Sequence, residues 1–183
     1  MRGRVLDIGA GAGRHSVEAQ SRGLEVVAID MSPGAVEVCR RRGIRDARTL
    51  ALAEIGAELG LFDTVLLMCG NLGLAGSARA TRETLDRLHA LTTSHGKIVF
   101  DSVDPHVGND EAERAYMERN ARRGRMPGEV TIRIRYGEIA TPWFELLCVS
   151  PAELDSLLPG TGWRLAWMRA AEPPDWYGVL EKA

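Results

Sequence analysis

The chain has little of what marks secreted, metal-bound or membrane-inserted proteins. Its three cysteines, Cys39, Cys69 and Cys148, are odd in number, widely spaced and contain no C-x-x-C pair. That excludes a disulfide framework or a zinc site as the organising feature and fits a reducing, cytoplasmic setting. His89 and His95 match no common metal-ligand spacing, and no metal is expected. No charged-then-apolar leader opens the sequence, and no apolar run approaches the ~20 residues that span a bilayer, so no membrane partner is expected. A basic excess is also missing. With 23 Lys and Arg against 25 Asp and Glu, the net charge of -2 gives no general field for nucleic acid, and a polynucleotide partner is not expected.

What remains is a chain of 183 residues with 45% hydrophobic content, enough for one well-buried domain spanning 1–183 and too short for two ordinary ones. Its most informative stretch is VLDIGAGAGRHS, Val5 to Ser16. An apolar run ends at Asp7 and Ile8 and passes into Gly9, Gly11 and Gly13, after which helix-compatible sequence begins near Arg14. Strand, glycine turn and helix N-terminus together present free N–H groups at one end of a sheet, which suits a polar or anionic ligand group.

Spacing narrows the ligand. In the dinucleotide pattern GxGxxG counted from Gly9, the sixth position falls on Arg14, where close helix packing calls for Gly or Ala. The pattern DxGxGxG instead resembles motif I of class I S-adenosylmethionine-dependent methyltransferases. A second run, EVVAID (Glu25 to Asp30), reads as a buried strand ending in an acid, followed by Ser32-Pro33 as N-cap and first helical residue. An acid at the end of the neighbouring parallel strand can accept both ribose hydroxyls, which assigns Asp30 as the ribose ligand.

Strand and helix signals then alternate: Arg4–Ile8, helix Arg14–Arg22, Glu25–Asp30, helix Pro33–Arg42, a weak strand Ala47–Leu50, Phe62–Cys69, helix Ala78–Thr92 and strand Lys97–Asp101. A parallel α/β sheet follows. The resemblance covers nearly the whole chain. It implies a Rossmann-like three-layer sandwich with a mostly parallel seven-stranded sheet, a helix Pro151–Leu158, closing strands Trp163–Met168 and Trp176–Glu181, and an antiparallel last strand. Residues 105–150 break the alternation. A charged helical stretch to Arg123 leads into two β-rich runs around Gly137, predicting an inserted β-hairpin that lids the site. The family's helical segment ahead of the first strand has only Met1 to Gly3 in its place, so the start reads as truncated. The cofactor is then either partly exposed or covered by a second subunit of a homodimer.

The resemblance implies S-adenosyl-L-methionine as cofactor, contacted by Asp7, Gly9, Ala10, Gly11, Gly13 and His15 of the first turn and by Asp30 and Ser32 after the second strand. Met31 lies against one face of the adenine. Leu52 and Ala53 lie near its edge, with Glu54 as the acid there. Ligands in open α/β sheets bind beyond the carboxyl ends of strands. That rule selects Cys69, Gly70 and Asn71 after the fourth strand, with Asn71 holding the methionine part, orienting a substrate amine, or simply forming a turn. After the fifth strand it selects Asp101, Asp104 and His106, where His106 is either a base or a solvated loop residue. Trp143 walls the substrate pocket, with Asp104 as a second substrate contact. The expected activity is methyl transfer to a small-molecule acceptor by in-line displacement, in which alignment outweighs acid–base catalysis. Two alternatives stand beside it: an NAD(P)-binding oxidoreductase, and a non-catalytic scaffold that binds the cofactor.

Overall fold

The computed structural model describes residues 1–108 and 110–183. Five strands run parallel in the first half: β1 (Arg4–Ile8), β2 (Glu25–Asp30), β3 (Asp46–Thr49), β4 (Phe62–Leu67) and β5 (Thr92–Val103). Two small ladders, β6 (Glu129–Ile132) with β9 (Phe144–Leu147) and β7 (Arg135–Tyr136) with β8 (Ile139–Ala140), stand apart from them. β10 (Trp163–Ala170) and β11 (Asp175–Lys182) complete a seven-stranded sheet in the order β10-β11-β5-β4-β1-β2-β3. β11 is antiparallel to both of its neighbours, as the resemblance implies.

Helices cover the sheet because its central strands, β1, β2 and β4, bury both faces. Leu6, Ile8, Val27, Ile29, Val65, Leu67, Ile98 and Phe100 point to one side, where Leu85 and Leu88 of α3 (Ala78–Ala90) and Leu154 and Leu157 of α5 (Pro151–Leu157) pack on them. On the other side, α1 (Arg14–Ser21) sets Ala19 among Val5, Val26 and Leu66, and α2 (Pro33–Arg41) sets Val36 and Cys39 against Ala28 and Ala47. The two buried indole donors are matched. The Trp163 indole N–H donates to the Leu85 carbonyl and that of Trp176 to the Val149 carbonyl, each at 2.9 Å, so both large side chains enter the core without an orphan polar atom.

Element boundaries shift where tertiary pairing outweighs local signal. β5 begins at Thr92, five residues before the expected start, because Thr92 pairs with Phe62. Past β5, α4 (Glu111–Arg122) is opened by a capping box of Asp110 and Glu113. The hairpin is present: Gly137, at φ 57°, and Glu138 join Tyr136 to Ile139. Its ladder is interrupted midway, and residues 133–143 are exposed. Among the described residues no helix is long and apolar enough to cross a membrane.

Candidate functional site

The carboxyl ends of β1 and β2 meet in the glycine turn. Gly9 and Ala10 donate their N–H groups to the Ile29 carbonyl at 2.9 and 3.0 Å, which fastens the turn to β2. Asp30, half-buried at the end of β2, accepts from the Gly11 N–H through Oδ2 and from the Ser32 N–H through Oδ1, both at 2.8 Å. Each oxygen keeps a further acceptor direction. Asn71, opening a 3-10 turn after β4 (Asn71–Gly73), donates its amide to the carbonyls of Ile8 (2.8 Å) and Gly9 (3.0 Å), tying the β4 end to the turn.

Between these elements lies a cleft of about 220 Å³ walled by Ile8, Gly9, Ile29, Asp30, Met31, Leu50, Leu52, Asn71 and Leu74. It is mainly apolar with one carboxylate at its rim. A Cβ built on Gly11 or Gly70 would meet nothing within 4 Å, so both loops open onto free space. Met31 is 77% exposed and overhangs the cleft. A second cavity, of about 250 Å³, adjoins it: Cys69, Gly70, Asp101, Ser102, Val103, Leu146, Leu147, Cys148 and Asp175 line it. Gly70 faces this cavity and its neighbour Asn71 the first. The Asp101 carboxylate holds the Gly70 N–H at 2.6 Å through Oδ1. The Cys69 backbone has φ 66°, rare for a residue with a side chain, and its sulfur accepts from the Arg14 guanidinium at 3.3 Å. Burial, and then Glu153, push the Cys148 thiol above its ordinary value.

Several expected site residues make contacts within the scaffold. Asp7 is buried, and its carboxylate accepts from the Ser16 hydroxyl at 2.6 Å, joining β1 to α1; it does not reach the cleft. Burial raises its pKa, with the Ser16 hydrogen bond opposing. Gly13 is a packing glycine, since a Cβ there would collide with Ile44 and Cys39. Ser32 caps α2, accepting from the Ala35 N–H at 3.3 Å. Ala10 contributes a backbone bond to the turn, while Ala53 and Leu52 give their carbonyls to Arg87, and of those two only Leu52 lines the cleft. Glu54 is occupied capping the Ala51 N–H at 2.8 Å. His15 contacts Arg14, 3.2 Å from ring nitrogen to guanidinium, without lining either cavity.

Three expected substrate or catalytic residues lie outside. His106 is exposed with Nε2 at 3.0 Å from Glu153 at the start of α5. Asp104 accepts from the His106 N–H at 2.9 Å. Trp143 is 62% exposed and carries the Arg133 guanidinium over its ring at 4.7 Å. Their short-range polar and cation–π partners hold them on the surface. The strand-end rule would have found Leu50, directly after β3. It had no hold on Asp175: β11 runs antiparallel, so its first residue, not its last, arrives at this end of the sheet.

The sequence and fold resemble those of known proteins. A family described as a methyltransferase domain matches residues 5–96. A SAM-dependent methyltransferase from Bacteroides fragilis, solved in complex with S-adenosyl-L-homocysteine, aligns with a TM-score of 0.80 at 28% identity, covering 98% of this chain and 72% of that one. A putative methyltransferase of Bacillus subtilis, YqeM, is 26% identical over 104 residues, covering 55% of this chain and 42% of its own length. A ubiquinone biosynthesis O-methyltransferase of Xanthomonas oryzae is 38% identical over 71 residues, 36% of this chain and 30% of its own length. The chain thus spans less than half the length of these curated relatives. With the match running from β1 into β5, through the glycine turn, Asp30 and Asn71, the chain belongs to the methyltransferase domain family.

Proposed function

We propose that the chain binds S-adenosyl-L-methionine in the cleft over β1 and β2 and passes its methyl group to a small-molecule acceptor in the adjoining cavity. The observation that carries this reading is Asp30: a half-buried carboxylate at the rim of an apolar cleft, fixed by two backbone N–H groups and retaining acceptor capacity on both oxygens. The residues present fit the cofactor. Ile8, Ile29, Leu50 and Leu52 offer apolar walls for a purine, Asp30 suits two ribose hydroxyls, and the space over Gly11 and Gly70 is what a side chain would fill. When bound, the cofactor supplies an activated methyl group on a sulfonium.

The chain's own part is alignment. Asn71 locks the β4 end to the glycine turn, fixing the spacing between the two cavities. Asp101, anchored through Gly70, stands in the second cavity where it can orient the nucleophile and take up its proton. The root of the hairpin, Leu146 to Cys148, closes that cavity on one side, so the insert acts as a lid at its base. The oxidoreductase alternative draws no support from these relatives.

Calorimetric titration with S-adenosylhomocysteine tests the reading. The demethylated cofactor binds with one site, NADH does not, and Asp30→Ala weakens the former about 10- to 150-fold, for loss of charge-assisted hydrogen bonds of about 1.5–3 kcal/mol. Unchanged affinity in the variant removes Asp30 from the site, and preference for NADH overturns the cofactor assignment.

A further inference from the structure

The second cavity has a charge character that neither the family nor the cofactor dictates. Two carboxylates, Asp101 and Asp175, line it together with thiols and apolar side chains, and no Lys, Arg or His does so among its described lining. Arg14 reaches the Cys69 sulfur from α1 but is not part of the wall. The two acids arrive from different strands. Val103 pairs with Asp175 and Asp101 with Tyr177 across the antiparallel β5–β11 ladder, so Asp101 and Asp175 lie on one face as diagonal neighbours, two register positions apart with the Ser102–Trp176 pair between them. Among the described residues, the Asp101 carboxylate is engaged through Oδ1 alone, by the Gly70 N–H.

We infer that the methyl acceptor is a small amine, drawn in as its ammonium form between Asp101 and Asp175 and methylated on nitrogen. The inference rests on the reading of the cleft as the S-adenosylmethionine site. An anionic acceptor would face two carboxylates with no wall cation to offset them, and a neutral hydroxyl would forfeit the charge-assisted bonds on offer. At about 250 Å³ the cavity falls below the usual range of roughly 300–1,000 Å³ for small-molecule sites, which suits a compact acceptor. The ammonium gives a proton to Asp101 and through it to water, freeing the nitrogen lone pair. That pair forms the new N–C bond as the C–S bond of the sulfonium breaks, and the bonding pair stays on sulfur as a neutral thioether. The methylated nitrogen emerges directly as an ammonium, carrying the positive charge that has left sulfur, and departs in that form.

Benzylamine, benzyl alcohol and benzoate share one carbon frame and differ in the reacting group, which makes them suitable probes. Their affinities are measured by ligand-observed NMR on protein saturated with S-adenosylhomocysteine. The expected result is that benzylamine binds at least tenfold more tightly than the other two. Asp175→Asn and Asp101→Asn should each weaken it at least fivefold, and a titration of each variant with S-adenosylhomocysteine verifies that it is folded. Asp101→Asn keeps an acceptor for the Gly70 N–H, and Asp175→Asn touches no proposed cofactor contact, so one folded variant suffices. Equal or tighter binding of the alcohol or the carboxylate, absence of benzylamine binding, or benzylamine affinity unmoved in a folded variant overturns the amine assignment and leaves the cofactor reading standing. Failure of the wild-type protein to bind S-adenosylhomocysteine overturns that reading, and the inference with it.

Discussion

Gly9, Gly11 and Gly13 all sit at positive φ, yet each answers a different demand. At Gly9 a Cβ would approach the Asn71 amide nitrogen at 2.5 Å, at Gly13 it would run into Ile44 and Cys39, and at Gly11 it would meet nothing. Any side chain costs about 1–2 kcal/mol for the left-handed backbone alone. Gly13→Ala adds overpacking of about 1–3 kcal/mol, whereas Gly11→Ala adds only a methyl group in the space assigned to the ligand. The expected outcome is a lower unfolding midpoint in urea for Gly13→Ala than for Gly11→Ala, with the larger loss of S-adenosylhomocysteine affinity in folded Gly11→Ala. The reverse ranking would place the ligand away from Gly11. The sequence announced that these glycines matter but not which neighbour each one faces. Asp30, Asn71 and Asp101, which the strand-end rule selects, line the two cavities because strand ends bring their last residues to one end of the sheet. For His106 the sequence shows the strand end but not the partner, Glu153, which is 47 residues further along the chain and belongs to a helix cap.

Among the elements, the hairpin shows where periodicity stops being informative. Alternation of Val130, Ile132, Ile134 and Tyr136 predicts a half-buried strand, and the first two are partly buried, but Ile134 is 62% and Tyr136 87% exposed. The pattern fixes which residues share a face; it does not say whether another layer covers that face. Only the root, carrying Leu146 and Leu147, reaches the second cavity. Ile132 pairs directly with Phe144, so residues 133–143 can be replaced by an Asn-Gly turn that closes the β6–β9 ladder. The shortened protein is expected to keep its S-adenosylhomocysteine affinity within about twofold and its unfolding midpoint close to wild type, since surface changes are usually within about 0.5 kcal/mol. Trp143→Ala is expected to do the same. A collapse of cofactor affinity on excision would make the exposed arm, and not its root, the lid.

For the molecule as a whole, two acids on opposite sides of their ordinary pKa give stability a shape in pH. Asp63 ties the start of β1 to that of β5: its carboxylate accepts from the Arg4 N–H at 3.0 Å and the Thr93 hydroxyl at 2.9 Å, which lowers its pKa. Its contribution is therefore present above the unfolded value, near 3.8, and is lost as pH falls through the lower folded value. Asp7 has the opposite sign. Burial holds its pKa above 3.8, so the folded chain retains a proton that the unfolded chain releases, and folding loses free energy as pH rises from about 3.8 through the raised value. Asp7→Asn removes that titration while leaving an acceptor for the Ser16 hydroxyl. Whatever constant offset the amide brings, the difference between variant and wild type should move in the variant's favour as pH rises above about 3.8, then level off once Asp7 has ionised. Urea unfolding across that range measures it. A difference that stays flat would mean that Asp7 titrates as it does in the unfolded chain and that its burial in β1 carries no cost. For Asp63→Asn the gap to wild type should instead narrow as pH drops below about 3.8, because the wild-type carboxylate is then being protonated too.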